Sequence, residues 1–304
     1  MALDRGPDAL LVVEQKDLLI HGRIRGLADW LICQCACIPE EAQQASGFKM
    51  ANVVEMIGCL NNISLDRSSL RINEIDVWRV SLVDDFDMRE FVELLDHEER
   101  ARAASFLFDH HRTRFIQSHV ALRLILARYV GCDPASVSFV RNRYKKPRLK
   151  MQVRAADLDF NLSRSGRCCL VAIRIGSEVG IDVEQVRKLP EAADIARKWF
   201  TPSEARRLAS LVGVARQLAF LSMWTHREAV TKALGTSLEK ALDRMEFALD
   251  PGGALRLVSW CGNRSVANKW SVRRIELDSG YVGALASLKP FEMLNYFDCQ
   301  AANR

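Results

Sequence analysis

Val179-Gly180-Ile181-Asp182-Val183-Glu184 is the stretch whose reading decides the fold. Its apolar β-branched residues read as a strand. Asp182 and Glu184, two apart, then project from one face of it. The complementary stretch is Trp224-Thr225-His226-Arg227-Glu228-Ala229-Val230-Thr231-Lys232. It reads as helix, and Glu228 and Lys232, four apart, share one of its faces. If strand and helix pack together, three carboxylates and one ammonium converge. Such a group suits a hard cation such as Mg²⁺ holding a pyrophosphate, with a lysine beside it. Taken singly, each residue has a plainer reading: solvated charges at a strand end, or an ordinary surface ion pair.

Working outward, the segments about 168–175 and 179–184 read as two strands around a turn at Gly176-Ser177. Thr201-Pro202-Ser203-Glu204 carries the signals of a helix start, an N-cap threonine with proline at N1 and glutamate at N3. The helix holding the second stretch spans about 215–234 and stops at Gly235. A hairpin follows, about 245–249 and 255–260 around Asp250-Pro251-Gly252-Gly253, and then strands about 270–277 and 281–288. Upstream, Trp78, Val80 and Leu82 alternate as in a strand. Asp96 with Glu99 starts a helix expected to run to about 108. A long amphipathic helix spans about 112–130 and stops at Gly131, and the His110-His111 pair is placed on a loop.

Strand, helices and strands therefore occur twice. That is an α+β pattern with two similar halves, 75–176 and 177–290, preceded by an extension 1–74 of unassigned role and followed by a tail 291–304. The alternating Cys33, Cys35 and Cys37 lack the spacing of a zinc site and read as small buried residues.

Composition narrows the function classes. The 304 residues are 49% hydrophobic and 27% charged, as in an ordinary globular protein. No apolar run approaches the ~20 residues that span a bilayer, and the charged N-terminus makes a poor signal peptide. Nine cysteines without disulfide-like spacing fit a reducing compartment, so a cytoplasmic protein is expected. The net charge of +5 is unevenly spread, with six Lys or Arg among the ten residues 141–150. That run reads as a solvated loop, a site for a phosphate-rich small ligand, or a nucleic-acid patch. No helix-turn-helix, zinc-finger or RNP signature supports the last, so no nucleic-acid partner is expected. No membrane partner is expected either, and neither Gly-x-Ser-x-Gly nor His-Glu-x-x-His is present.

Phe160-Asn161-Leu162-Ser163-Arg164-Ser165-Gly166, followed in order by the two stretches above, resembles the 4′-phosphopantetheinyl transferases of the surfactin-synthetase-activating (Sfp) type. The resemblance runs from about 78 to 288. It implies two α/β halves related by pseudo-twofold symmetry, meeting near Gly176, with coenzyme A in the cleft between them. It further implies transfer of the phosphopantetheine arm of coenzyme A to a serine of an apo acyl or peptidyl carrier protein, leaving adenosine 3′,5′-bisphosphate. The implied cofactor is Mg²⁺, with Mn²⁺ as the alternative, and a monomer is expected.

By the same resemblance, Asp182, Glu184 and Glu228 match the acidic metal ligands, Asp182 also facing the coenzyme. Lys232 matches the lysine on its phosphates. Glu228 is the first candidate to accept the serine proton, and Lys232 to stabilise the leaving bisphosphate. Arg102 matches a contact to the 3′-phosphate. Arg141, Tyr144, Lys145, Lys146 and Pro147 match the loop around adenine and that phosphate, and Ser163 a residue of the pocket wall. Arg114 and Arg123 are helpers or structural residues of the long helix. In two places the chain departs from the pattern. Arg164 stands where the family usually has histidine, and Arg227 where it usually has lysine; both keep positive charge, and arginine can grip phosphate with two donors. The competing reading from another class is a non-catalytic relative that binds coenzyme A or a carrier protein.

Overall fold

A computed structural model describes residues 71–84, 91–150, 157–250 and 254–299. The cysteine run 33–37, the rest of the extension up to residue 70 and the turn residues 251–253 lie outside them. The first half comprises β1 (Glu74–Ser81), α1 (His97–Ala104), α2 (Asp109–Val130), the hairpin β2 (Phe139–Arg141) and β3 (Pro147–Leu149), β4 (Leu158–Ser165) and β5 (Cys168–Ile175). The second comprises β6 (Val179–Gln185), α3 (Ala192–Trp199), α4 (Pro202–Ala209), α5 (Gly213–Leu234), the hairpin β7 (Met245–Leu249) and β8 (Leu255–Trp260), α6 (Arg264–Ala267), β9 (Ser271–Ile275) and β10 (Tyr281–Ser287). A last strand, β11 (Met293–Cys299), returns to the first half and pairs in parallel with β1, so the two main sheets run β11-β1-β5-β4 and β6-β10-β9.

Strand periodicity sorts the core into layers. On β1, Trp78 and Val80 face α2, where they bury against Val120 and Ile125 with Val171 and Ile173 of β5. Ile75 and Val77 point the other way, onto Ile181, Val183 and Leu285 of the second sheet. The far face of that sheet, Ala284 and Ala286, is covered by Ala229, Val230 and Ala233 of α5. The order is helix, sheet, sheet, helix. Each large apolar side chain so buried contributes about 1.5–3 kcal/mol of transfer free energy. The mixed α+β architecture matches the sequence reading.

The two halves repeat one buried device. Each short helix opens with a capping box, Asp96 with Glu99 on α1 and Thr201 with Glu204 on α4. Each long helix has 22 residues, ends on a left-handed glycine (Gly131 and Gly235), and carries a buried arginine at the same step, Arg123 and Arg227. Arg123 donates to Glu99 at 2.8 Å, to Asp96 at 2.7 Å and to the carbonyl of Val137 at 2.8 Å, and lies over the ring of Phe139. Arg227 donates to Glu204 at 2.5 Å and to the carbonyl of Met245 at 3.2 Å, and lies over the ring of Phe247. In both halves a capping glutamate, a helix arginine and a hairpin phenylalanine therefore lock three elements together. Burial alone would raise the Glu99 carboxyl, but His119 and Arg123 outweigh it and hold it at about 2.

Three local readings change. The helix expected to reach 108 stops at Ala104, and a new one starts at Asp109, so His110 and His111 lie in the first turn of α2 rather than on a loop. Residues 293–299, read as part of a tail, form β11, whose Phe297 stacks on the fully buried Trp78. Arg227, read as a phosphate-binding charge, is buried against Glu204 and held by its neighbours there. Among the described residues no helix is long and apolar enough to cross a membrane.

Candidate active site

The site lies where β4 of the first half meets β6 of the second. Four alternate residues of β4 offer side-chain acceptors to four alternate backbone N–H groups of β6. Asp159 takes Val179 at 2.8 Å, Asn161 takes Ile181 at 2.9 Å, Ser163 takes Val183 at 3.3 Å and Ser165 takes Gln185 at 3.0 Å. These rungs satisfy edge-strand donors that no backbone partner on that side reaches. They also fix the register of β6, and hence the place of Asp182 and Glu184.

Gly180 sets the other coordinate of β6. A Cβ there would lie 2.1 Å from the carbonyl oxygen of Ala229 and 2.3 Å from the amide nitrogen of Ala233, both backbone atoms of α5. The strand therefore rests on the helix with no space for a methyl group. Gly180→Ala is expected to lower stability by about 1–3 kcal/mol or more, because neither backbone can yield cheaply. It should lower activity as well, by lifting Asp182 away from α5. Thermal melts and transfer assays on the purified variant check both; an unchanged melt with full activity would mean the strand can shift freely.

That contact brings the predicted acidic and basic groups together. Lys232 Nζ donates to Asp182 Oδ1 at 2.6 Å and to Ser163 Oγ at 2.9 Å, and Ser163 Oγ donates to Asp182 Oδ1 at 2.8 Å. Ser165 Oγ donates to Glu184 Oε2 at 2.8 Å. Glu228 sits one turn before Lys232 on α5, and both are among the mutually interacting charges of the cluster. Burial would depress the Lys232 ammonium, but Asp182, Glu228 and Glu184 together raise it. Burial and the neighbouring Asp182 charge push the Glu184 carboxyl up to about 7.

Asp182 Oδ2 is buried and has no hydrogen-bond partner. An orphaned carboxylate oxygen beside a second carboxylate calls for a cation, and a donor set made only of oxygens suits a hard one such as Mg²⁺. Among the described residues, however, no three His, Cys, Asp or Glu side chains stand grouped as a formed metal centre. In this arrangement Lys232 occupies the other oxygen of Asp182.

A second basic cluster lies on the α2 side of β4. The Arg164 guanidinium sits 5.2 Å from the ring centroid of Phe115 and 5.8 Å from that of Phe106, with Arg102 over Phe106 at 5.2 Å. Burial, with the charges of Arg102 and Arg114, holds Arg164 down to about 10. Arg114 itself pairs with Asp84.

The tip of the β2–β3 hairpin forms a third group. Arg141 donates to the carbonyl of Lys145 at 2.8 Å, and Lys145 takes the left-handed φ of 70° that turns the chain. Tyr144 lies between Arg143 and Lys240 of the second half, and Pro147 opens β3. Lys146 departs from the reading that put it on a phosphate. Its ammonium is turned inward onto Asp159 at 2.5 Å and the carbonyls of Val179 and Ala233, each at 3.1 Å. Burial is the main cause of its lowered pKa. It fastens the hairpin, β4, β6 and α5 to one another. Arg123 is likewise structural. Sequence reasoning quoted Asn161 and Ser165 without giving them a role and did not single out Asp159; the available signal was the strict alternation of short polar side chains along 159–165.

Comparison with known proteins bears on this geometry. Residues 178–286 match the family described as the 4′-phosphopantetheinyl transferase superfamily, and residues 78–175 match the one described as 4′-phosphopantetheinyl transferase, N-terminal. The 4′-phosphopantetheinyl transferase HetI of Nostoc sp. is 32% identical over 219 residues, covering 72% of this chain and 89% of that protein.

The chain belongs to the 4′-phosphopantetheinyl transferase superfamily.

Two further relatives show lower identity. The 4′-phosphopantetheinyl transferase of Bacillus subtilis is 29% identical over 51% of this chain and 67% of its own length. The human L-aminoadipate-semialdehyde dehydrogenase-phosphopantetheinyl transferase is 24% identical over 66% of this chain and 69% of its own. The superfamily match thus covers β6 and the helix that carries Glu228 and Lys232, and the N-terminal match covers β4.

Proposed function

We propose that this chain is a phosphopantetheinyl transferase of the Sfp type, moving the 4′-phosphopantetheine arm of coenzyme A onto a serine of an apo acyl or peptidyl carrier protein. The observation that carries the reading is the cluster of Asp182, Ser163 and Lys232, with its orphaned carboxylate oxygen, at the junction of the two halves. A catalytic protein is favoured over a merely binding relative because Asp182, Glu184 and Glu228 are all present. The same reading makes the protein a cytoplasmic monomer composed of two halves joined near Gly176, with no nucleic-acid or membrane partner.

Asp182, Glu184 and Glu228 would hold Mg²⁺. When bound, the ion neutralises charge on the pyrophosphate. Lys232, kept charged by the surrounding acids, orients the coenzyme phosphates and stabilises the adenosine 3′,5′-bisphosphate as it leaves. Glu228 accepts the proton of the carrier serine, directly or through water. The serine oxygen attacks the phosphorus bearing the pantetheine arm, and the bond to the bisphosphate breaks. Displacement of this kind needs positioning and charge neutralisation more than covalent help. Arg102 and Arg164, over their aromatic floor, receive the 3′-phosphate, and Arg141, Tyr144 and Lys145 border the adenine.

Incubating the protein with coenzyme A, Mg²⁺ and a panel of apo carrier proteins, read by intact mass, tests the reading directly. A phosphopantetheine mass increase is expected, and its absence from every carrier would overturn it. Arg102→Ala and Arg164→Ala should each weaken coenzyme A binding about 10-fold or more, the loss of one charge-assisted hydrogen bond. Binding of 3′-dephospho-coenzyme A should change far less. Equal losses against both ligands would remove the 3′-phosphate from this cluster.

A further inference from the structure

We infer that Ser165 is a positioning residue for Glu184, and through it for the divalent ion of the acidic cluster; this rests on the transferase reading above. The four rungs between β4 and β6 are not chemically alike. Asn161 meets a backbone N–H and no carboxylate of the cluster. Ser163 and Ser165 are hydroxyls, able to accept and donate at once. Each accepts the N–H of one β6 residue and donates its proton to the carboxylate of the residue before it. Ser163 accepts from Val183 and donates to Asp182, and Ser165 accepts from Gln185 and donates to Glu184. The backbone of β6 thus holds each hydroxyl oxygen in place, and the hydroxyl proton holds the carboxylate.

The two serines differ in what else they serve. Ser163 also accepts a hydrogen bond from Lys232, so its loss would disturb the lysine as well as Asp182. The Ser165 hydroxyl, by contrast, bonds to β6 alone among the described residues, and its single proton goes to Glu184 Oε2. That bond engages one oxygen of a long side chain and leaves Oε1 to face another partner. Glutamate loses considerable rotamer freedom when fixed. A hydroxyl that fixes it beforehand spares an incoming ion that cost. Outer-sphere partners of this sort change metal affinity about 10–100-fold when removed. Alanine at 165 would supply neither bond, whereas threonine would keep both.

The test uses the full chain with saturating coenzyme A and Mn²⁺, a paramagnetic ion that accepts the same oxygen ligands. Bound Mn²⁺ is read by electron paramagnetic resonance, and thermal melts and carrier transfer are measured in parallel. Ser165→Ala should raise the Mn²⁺ Kd about tenfold or more, and Ser165→Thr should stay near the wild-type value. Asn161→Ala, which removes one rung but no bond to a carboxylate of the cluster, should lower the melting temperature and weaken Mn²⁺ binding clearly less than Ser165→Ala does. An unchanged Kd in Ser165→Ala, or an equal weakening in Asn161→Ala, overturns the positioning role. If wild-type transfer persists in either case, the functional reading stands and only the inference falls. A wild-type protein that binds no Mn²⁺ overturns both.

Discussion

Asp182→Ala is expected to lower phosphopantetheine transfer at least about 100-fold, the scale seen when a preorganised charge-stabilising group is removed, while the protein stays folded. The side chain holds Lys232 at 2.6 Å and Ser163 at 2.8 Å, and its other oxygen is the buried one without a partner. On the proposed reading its removal takes away an ion ligand together with the 2.6 Å partner of the lysine. Stability should change little, because Glu228 and Glu184 remain beside Lys232 and the like charge next to Glu184 is relieved. Asp182→Asn separates the two roles, since it keeps an acceptor for Lys232 but not the charge. Initial rates by intact mass at limiting and saturating Mg²⁺, with melts alongside, decide the matter. Near-normal transfer by Asp182→Ala at limiting Mg²⁺ would take this residue out of the metal site.

The largest loss of stability is expected at Arg227. Its side chain is fully buried, pairs with Glu204, and lies between the rings of Phe200 and Phe247. Arg227→Ala leaves the Glu204 carboxylate buried with its charge unmatched, which costs about 3–5 kcal/mol. For a folded unit of this size, that corresponds to a fall in Tm of about 6–20 °C. Arg227→Lys should lie between, keeping the charge but not the planar fork that reaches both Glu204 and Met245. Arg123→Ala supplies the matched comparison, since the same device recurs around it. Differential scanning calorimetry on the three variants checks this, and a melt of Arg227→Ala within two degrees of wild type would show that the pair does not hold α4 to α5.

Local chemistry made much of this protein legible in its sequence. Gly131 and Gly235 end the long helices, Asp96 with Glu99 and Thr201 with Glu204 open the short ones, and each rule acts over a few residues. The spacings of Asp182 with Glu184 and Glu228 with Lys232 pointed to the strand and helix faces on which Asp182 and Lys232 meet, because side-chain direction follows from secondary structure. What escaped depends on distant partners. The pairing of β11 with β1 joins residues from opposite ends of the described chain, and nothing in 293–299 specifies it. The polar alternation of 159–165 looks like a solvated strand until β6 is placed beside it. In the basic hairpin, three neighbouring side chains share one character, and only the left-handed turn at Lys145 decides that Lys146 points inward. Arginine 164 and arginine 227 carry the same charge; burial against Glu204 assigns the second to the core.

The return of β11 has a bearing on how the molecule is made. Strand β1 lies between β5 and β11, and Trp78 is covered on one side by Phe297. During synthesis, the first sheet therefore waits with an open edge and an uncovered indole until residues 293–299 leave the ribosome. Neither half can reach its finished state much before the other. A nascent chain halted shortly before Met293 would present that edge of β1 to a neighbouring strand, so residues 293–299 are the piece that closes the first sheet.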